Sequence, residues 1–229
     1  MQQGGGVETV VVAGSDQIDI PAWVVDFDSF RLWMHSGDFP EQGKVCFING
    51  RVWVDLSMEE FFSHNQVRTE INRVLANLMK TTRFGRFVAE GMRYSHIETH
   101  LATEPDGMVV SHEAMRSGRV KLMAGKEGEA TEAVGVPEIL IEIVSRSSEV
   151  KDTEWCMSAY FDAGVSEYWI IDTRDGEDIR FDIFKRGKKE YSLSRKQGGW
   201  AKSSILGRSF RLSQTEDPDG KPEFTLEVR

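Results

Sequence analysis

Apolar positions recur along the chain with two different periods. Val67, Ile71, Val74, Leu75, Leu78 and Met79 fall at spacings of four, three, one, three and one, tracing one stripe of an α-helix that ends near Thr82. A shorter helix is expected between Asp26 and Ser36. Elsewhere the pattern is that of strands. Val45 to Ile48 and Arg51 to Val54 are β-prone runs on either side of Asn49-Gly50, the strongest short hairpin signal a sequence offers. Gly85 turns the chain toward a strand at Phe87-Val88, and Gly107 to Val110 and Arg119 to Met123 predict two more.

After Pro137 the run Ile139-Leu140-Ile141-Glu142-Ile143-Val144 is almost wholly apolar, as expected of a strand covered on both faces. Ser147-Ser148 open a helix that runs to about Ala163, where Gly164 supplies a C-terminal cap, and Tyr168 to Ile171 is another buried strand. Strand, helix and strand with short connections read as a right-handed crossover between parallel strands. Beyond it, Ile179 to Phe184, Tyr191 to Ser194 and Phe210 to Leu212 read as antiparallel additions. The expectation is an α/β (α+β) fold with a mixed central sheet flanked by helices, as one domain over residues 21–229 behind a flexible, Gly-rich N-terminal arm over residues 1–20.

Charge narrows the function. A formal net charge of −9 argues against broad attraction to a phosphate backbone, so any nucleic-acid contact must use a local patch. Lys185-Arg186-Gly187-Lys188-Lys189 and Arg195-Lys196 are the candidates, beside the plainer reading of a solvated hairpin turn. No apolar run approaches the roughly 20 residues of a membrane span, and the start lacks the basic and apolar regions of a signal peptide, so a cytoplasmic location is expected. Cys46 and Cys156 have no partners at zinc-ligand spacing and read as reduced, partly buried thiols.

Two carboxylates stand out by their surroundings. Asp106 follows Pro105 at the start of an apolar strand, and Glu142 interrupts the most hydrophobic one. A carboxylate in such a place needs a pairing cation, a hydrogen-bond donor or a metal ion. Brought together at the ends of adjacent strands, the two would suit Mg2+ or Mn2+. The alternative is an aspartate that caps a turn and a core glutamate bonded to a backbone amide or an arginine.

The runs Glu104-Pro105-Asp106-Gly107-Met108, Pro137 to Ser145, Tyr160 to Val165 and Glu167 to Asp172 resemble the Uma-two family of restriction endonucleases, over roughly residues 40–175. The segment from Gly199-Trp200 to Leu212 is similar to one branch of it. The resemblance implies a restriction-endonuclease-like PD-(D/E)XK core: a helix, a three-stranded hairpin sheet, a helix and a further strand. It also implies that Asp106 and Glu142 bind a divalent metal and that the product is a cleaved phosphodiester. The superfamily's lysine is expected two residues after the glutamate, where this chain has Val144, or four before the tyrosine, where it has Cys156. Lys151, at the helix start, is then the remaining basic candidate for a catalytic role.

Glu70 beside the helical stripe and His64 before it are further candidates for the site, while His96 and His100 read as a loop pair and Asp172 as a turn residue. The leading expectation is a Mg2+-dependent DNA endonuclease acting as a homodimer. Its rivals are a catalytically degenerate binding or regulatory module, which Val144 and Cys156 favour, and a metal-dependent hydrolase of something smaller than DNA.

Overall fold

The computed structural model describes residues 10–13, 18–124, 128–176 and 178–229. The central layer is a six-stranded sheet. From one edge it runs Tyr191–Leu193 (β13), Arg180–Arg186 (β12), Glu167–Asp172 (β11), Ile139–Ile143 (β10), Gly107–Ser111 (β7) and Gly85–Ala89 (β4). Strands β10 and β11 pair in parallel; the other neighbours are antiparallel. The one parallel pair is joined through a helical segment that ends in Cys156–Asp162 (α4), as the strand, helix, strand reading requires.

Period-two alternation explains how β10 is buried on both sides. Ile139, Ile141 and Ile143 pack on Val67–Thr82 (α2) and on a three-stranded sheet of Ala201–Lys202 (β14), Ser209–Glu216 (β15) and Pro222–Val228 (β16). Leu140 and Val144 point the other way, into a cluster with Cys156, Ala159 and Tyr160 of α4. Glu142 shares the parity of that second set. The stripe of α2 is buried at Val67, Ile71, Val74, Leu75 and Met79, as its spacing predicts. Together α2, the antiparallel strands β4, β7 and β10, then α4 and β11 make up a restriction-endonuclease-like core.

A second sheet flanks the first, in the order Val10–Ala13 (β1), Arg51–Asp55 (β3), Lys44–Ile48 (β2), Leu101–Thr103 (β6), Arg93–His96 (β5), Ala130–Gly135 (β9) and Val120–Ala124 (β8). Its β2–β3 hairpin turns at Asn49 and Gly50 with φ of 52° and 75°, the left-handed pair that a tight hairpin turn requires. Phe27–Met34 (α1) starts at Asp26, whose carboxylate accepts from Ser29 N in a capping box, and covers one face of this hairpin. His112–Ser117 (α3) follows β7.

Of the expected N-terminal arm, residues 1–9 and 14–17 lie outside the described residues, and β1 pairs in parallel with β3. Cys46 and Cys156 are buried free thiols. Among the described residues no helix is long and apolar enough to cross a membrane.

Candidate active site

Strand register brings the two singled-out carboxylates together. In the β7–β10 ladder Met108 faces Leu140 and Gly107 faces Ile141, so one further step sets Asp106 across from Glu142. Opposed residues of antiparallel strands project to the same face. Both are almost fully buried, at 3% and 1% exposure.

Asp106 is held from two sides. Its Oδ2 accepts from Ile143 N at 2.7 Å, and its Oδ1 receives Lys44 Nζ at 2.6 Å. Burial works to raise its pKa, but Lys44, His64 and these hydrogen bonds outweigh it and hold the group at about 2. Lys44 also reaches Glu90 at 2.8 Å, and its own pKa is raised because its acidic partners overcome its burial. His64 lies in a π-helical turn, Phe61–Gln66, ahead of α2. Its Nε2 is 2.9 Å from the Ile143 carbonyl oxygen and 3.8 Å from Asp106, and its Nδ1 is 3.5 Å from Glu59. Glu59 and Glu90 both pair with Arg68.

Glu142 has a different environment. Tyr160 donates to its Oε1 at 2.6 Å and Lys151 Nζ lies 3.3 Å from its Oε2. Burial, with Asp152 and Asp106 adding their charge against Lys151, pushes its pKa up to about 8. Lys151 and Asp152 both reach this interior from a second π-helical turn, Lys151–Trp155, which leads into α4. Lys151 Nζ sits 2.6 Å from Asp152 Oδ1 and 4.9 Å from the centre of the Trp53 ring. These acids keep it protonated well above the usual lysine range despite full burial. Asp152 is in turn anchored by the Ser148 hydroxyl.

These groups line a cavity of about 280 Å³. Eight carboxylates face it (Glu41, Asp55, Glu59, Glu90, Glu104, Asp106, Glu142 and Asp152), against Lys44, Lys151 and His64. The negative excess and the oxygen-rich donor set fit a hard divalent cation. Glu59, His64 and Asp106 offer ligand atoms within 4.8 Å of one another, as do Glu142, Asp152 and Cys156. The Cys156 thiol is buried with its pKa raised well above normal, so it stays protonated and makes a poor ligand for such an ion.

The sequence profile of the Uma2 family, described as putative restriction endonucleases, matches residues 27–228. The chain belongs to the Uma2 family. A solved structure of a putative nuclease of the DUF820 group, from Anabaena variabilis ATCC 29413, is similar over 80% of this chain and 90% of that one, with TM-score 0.54 and 17% identity. At that identity the likeness carries the fold alone. No curated protein matches the chain.

The family's lysine positions can now be placed. Val144 lies in the apolar cluster beside Leu140, and Cys156 is buried one turn beyond Lys151. Positive charge comes instead from Lys151 and from Lys44, which sequence reasoning missed. Glu70 does not join the cavity; it accepts from Leu226 N at 2.9 Å and pairs with Arg73. His96 bonds Thr99, His100 stacks on Phe27, and Asp172 accepts from the backbone and side chain of Arg174. Asp152 and Glu90 also escaped notice, as did the role of Tyr160, which stands in a run that carries the family resemblance. The only available signal was the adjacency of Asp152 to Lys151.

Proposed function

We propose that this Uma2 protein is a divalent-metal-dependent endonuclease that hydrolyses phosphodiester bonds in DNA. The observation that carries the reading is the convergence of Asp106, Glu142 and Lys151 on one buried acidic cavity. Asp106 and Glu142 would hold Mg2+ or Mn2+. A bound divalent cation polarises the phosphate and lowers the pKa of its water. The chain's own residues do the rest. Tyr160 fixes the Glu142 carboxylate and the Ile143 amide fixes that of Asp106. Lys151, locked as an ammonium, orients the attacking water and offsets the charge that builds on the phosphate. A duplex cut in both strands needs two such centres, which this reading assigns to a homodimer.

A second reading, a catalytically degenerate binding module, is favoured by one observation. Both carboxylates already have an ammonium neighbour, Lys44 on Asp106 and Lys151 by Glu142. Supercoiled plasmid and single-stranded DNA incubated with Mg2+ or Mn2+ separate the two. The nuclease reading expects cleavage abolished by chelation and lowered roughly a hundredfold to ten-thousandfold in Asp106→Asn and Glu142→Gln. No cleavage by the unaltered protein, or equal cleavage by both variants, would move the conclusion to the binding module.

A further inference from the structure

The cavity proposed to cut a polyanion is itself strongly acidic, in a chain of net charge −9. Something else must attract the substrate. Two shallow depressions outside the cavity share Arg83 and His112, and between them they present Lys80, Arg83, Arg86 and Arg116. All four side chains are exposed, and none is drawn into an ion pair at contact distance among the described residues, though Arg116 lies close enough to help lower the pKa of Glu113. The acids nearby lean toward other cations. Glu90 is paired with Lys44 and Arg68, and Glu113 and Glu138 with Arg119. Four exposed cations therefore outnumber the three acids that line these depressions, and the acids are themselves drawn partly to Lys44, Arg68 and Arg119, which leaves the surface with an excess of positive charge.

Resting on the nuclease reading, we propose that this surface, along the outer edge of β4, is the track that binds the phosphate backbone of DNA and delivers it to the cavity. Three observations give it direction. Strand β4 is the outermost strand of the six-stranded sheet, with no neighbour beyond it among the described residues. Glu90, just past its end, lines both the cationic depression and the acidic cavity, so the two adjoin there. From Gly85 to Glu90 an extended chain advances about 16 Å. Phosphates recur along one DNA strand about every 3.4 Å of axis, so about five nucleotides span the distance from Gly85, beside Arg86, to Glu90 at the rim of the cavity. Arg83 adds a sign of its own. It closes α2 in the left-handed conformation, φ 56°, where glycine is favoured, so the arginine sits there against backbone preference.

The basic run that the sequence offered is less suited. Arg186 is spent on the Phe161 carbonyl and ring, and Lys196 on Asp182. Lys185 pairs across from Glu167, at the end of the sheet away from Glu142.

The test is fluorescence anisotropy of a labelled duplex and a labelled single strand with the full chain, across a salt series. Arg83→Ala/Arg86→Ala/Arg116→Ala is compared with Lys185→Ala/Lys188→Ala/Lys189→Ala, and thermal midpoints verify that both fold. The track predicts a loss of affinity of tenfold or more in the first variant alone. It also predicts a salt dependence shallower by about 2 to 3 in log–log slope, since each phosphate contact contributes about 0.9. Equal affinity and slope in the unaltered protein and the first variant would overturn it, as would DNA binding lost only in the second. Hydrolysis of bis(p-nitrophenyl) phosphate without any DNA binding would overturn the track and leave the chemistry standing. Binding that depends on the three arginines without cleavage would keep the track and remove the nuclease reading.

Discussion

Glu142 and Glu167 occupy neighbouring parallel strands, each with 1% of its surface exposed, yet their surroundings are opposite. Glu167 is enclosed by neutral donors: Ser203 Oγ at 2.7 Å, Ser204 N at 2.5 Å, Ile205 N at 3.2 Å and the Trp169 indole at 3.1 Å. Its acceptor capacity is filled, and it ties β11 to the segment after β14. Glu142 has one neutral donor, Tyr160, and otherwise meets Lys151 and the acids Asp152 and Asp106 beside a cavity. Burial alone therefore does not mark a functional carboxylate. What separates the two is whether the fold completes the hydrogen bonding or leaves like charges facing space.

The sharpest way to break this contrast is Glu167→Ala. It orphans several buried donors and opens a void, so chemical denaturation is expected to show a loss of about 3 to 5 kcal/mol. A loss below about 1 kcal/mol would remove Glu167 as the structural member of the pair. Next in size is the response to metal. At a hundred times its Kd, Mn2+ should stabilise the unaltered protein by about 2.7 kcal/mol and leave Glu142→Gln unmoved, as read by thermal midpoint. Glu142→Gln itself should change stability by less than about 1 kcal/mol near pH 7. With its pKa pushed up to about 8, Glu142 already carries a proton there much of the time, and glutamine keeps an acceptor for Tyr160.

The smallest effect belongs to a third carboxylate, Glu70. Burial opposes its ionisation, but Arg73 and the Leu226 amide prevail and lower its pKa. Its stabilisation is therefore present above the unfolded value near 4.5 and is lost as pH falls through the lower folded value. Glu70→Gln should cost about 0.5 kcal/mol at pH 7, discounted for solvent screening, with the difference closing as the pH is brought below 4.

Local rules made much of this fold legible in the sequence. Asn49-Gly50 specifies a hairpin through its own φ preferences, the α2 stripe through its period, and β10 through its unbroken apolar run. Asp106 and Glu142 could be singled out because each sits against the grain of its strand. What stayed hidden depends on distant pairings. Lys44 meets Asp106 across 62 positions, and at the head of a hairpin strand it has the look of an ordinary solvated lysine. Glu90 looks equally unremarkable until the sheet register is known, and Tyr160 is legible as part of a family motif but not as the donor to Glu142. The left-handed Arg83 and the cationic edge of β4 were likewise invisible, since Lys80, Arg83, Arg86 and Arg116 gather only through the packing of α2, β4 and α3.

The central claim is that Asp106 and Glu142 together hold a divalent cation, and calorimetric titration with Mn2+ tests it without any assumption about substrate. Saturable binding by the unaltered protein, lost in both Asp106→Asn and Glu142→Gln while both variants remain folded, is the predicted result. Absence of binding by the unaltered protein, or binding that survives in both variants, would contradict it.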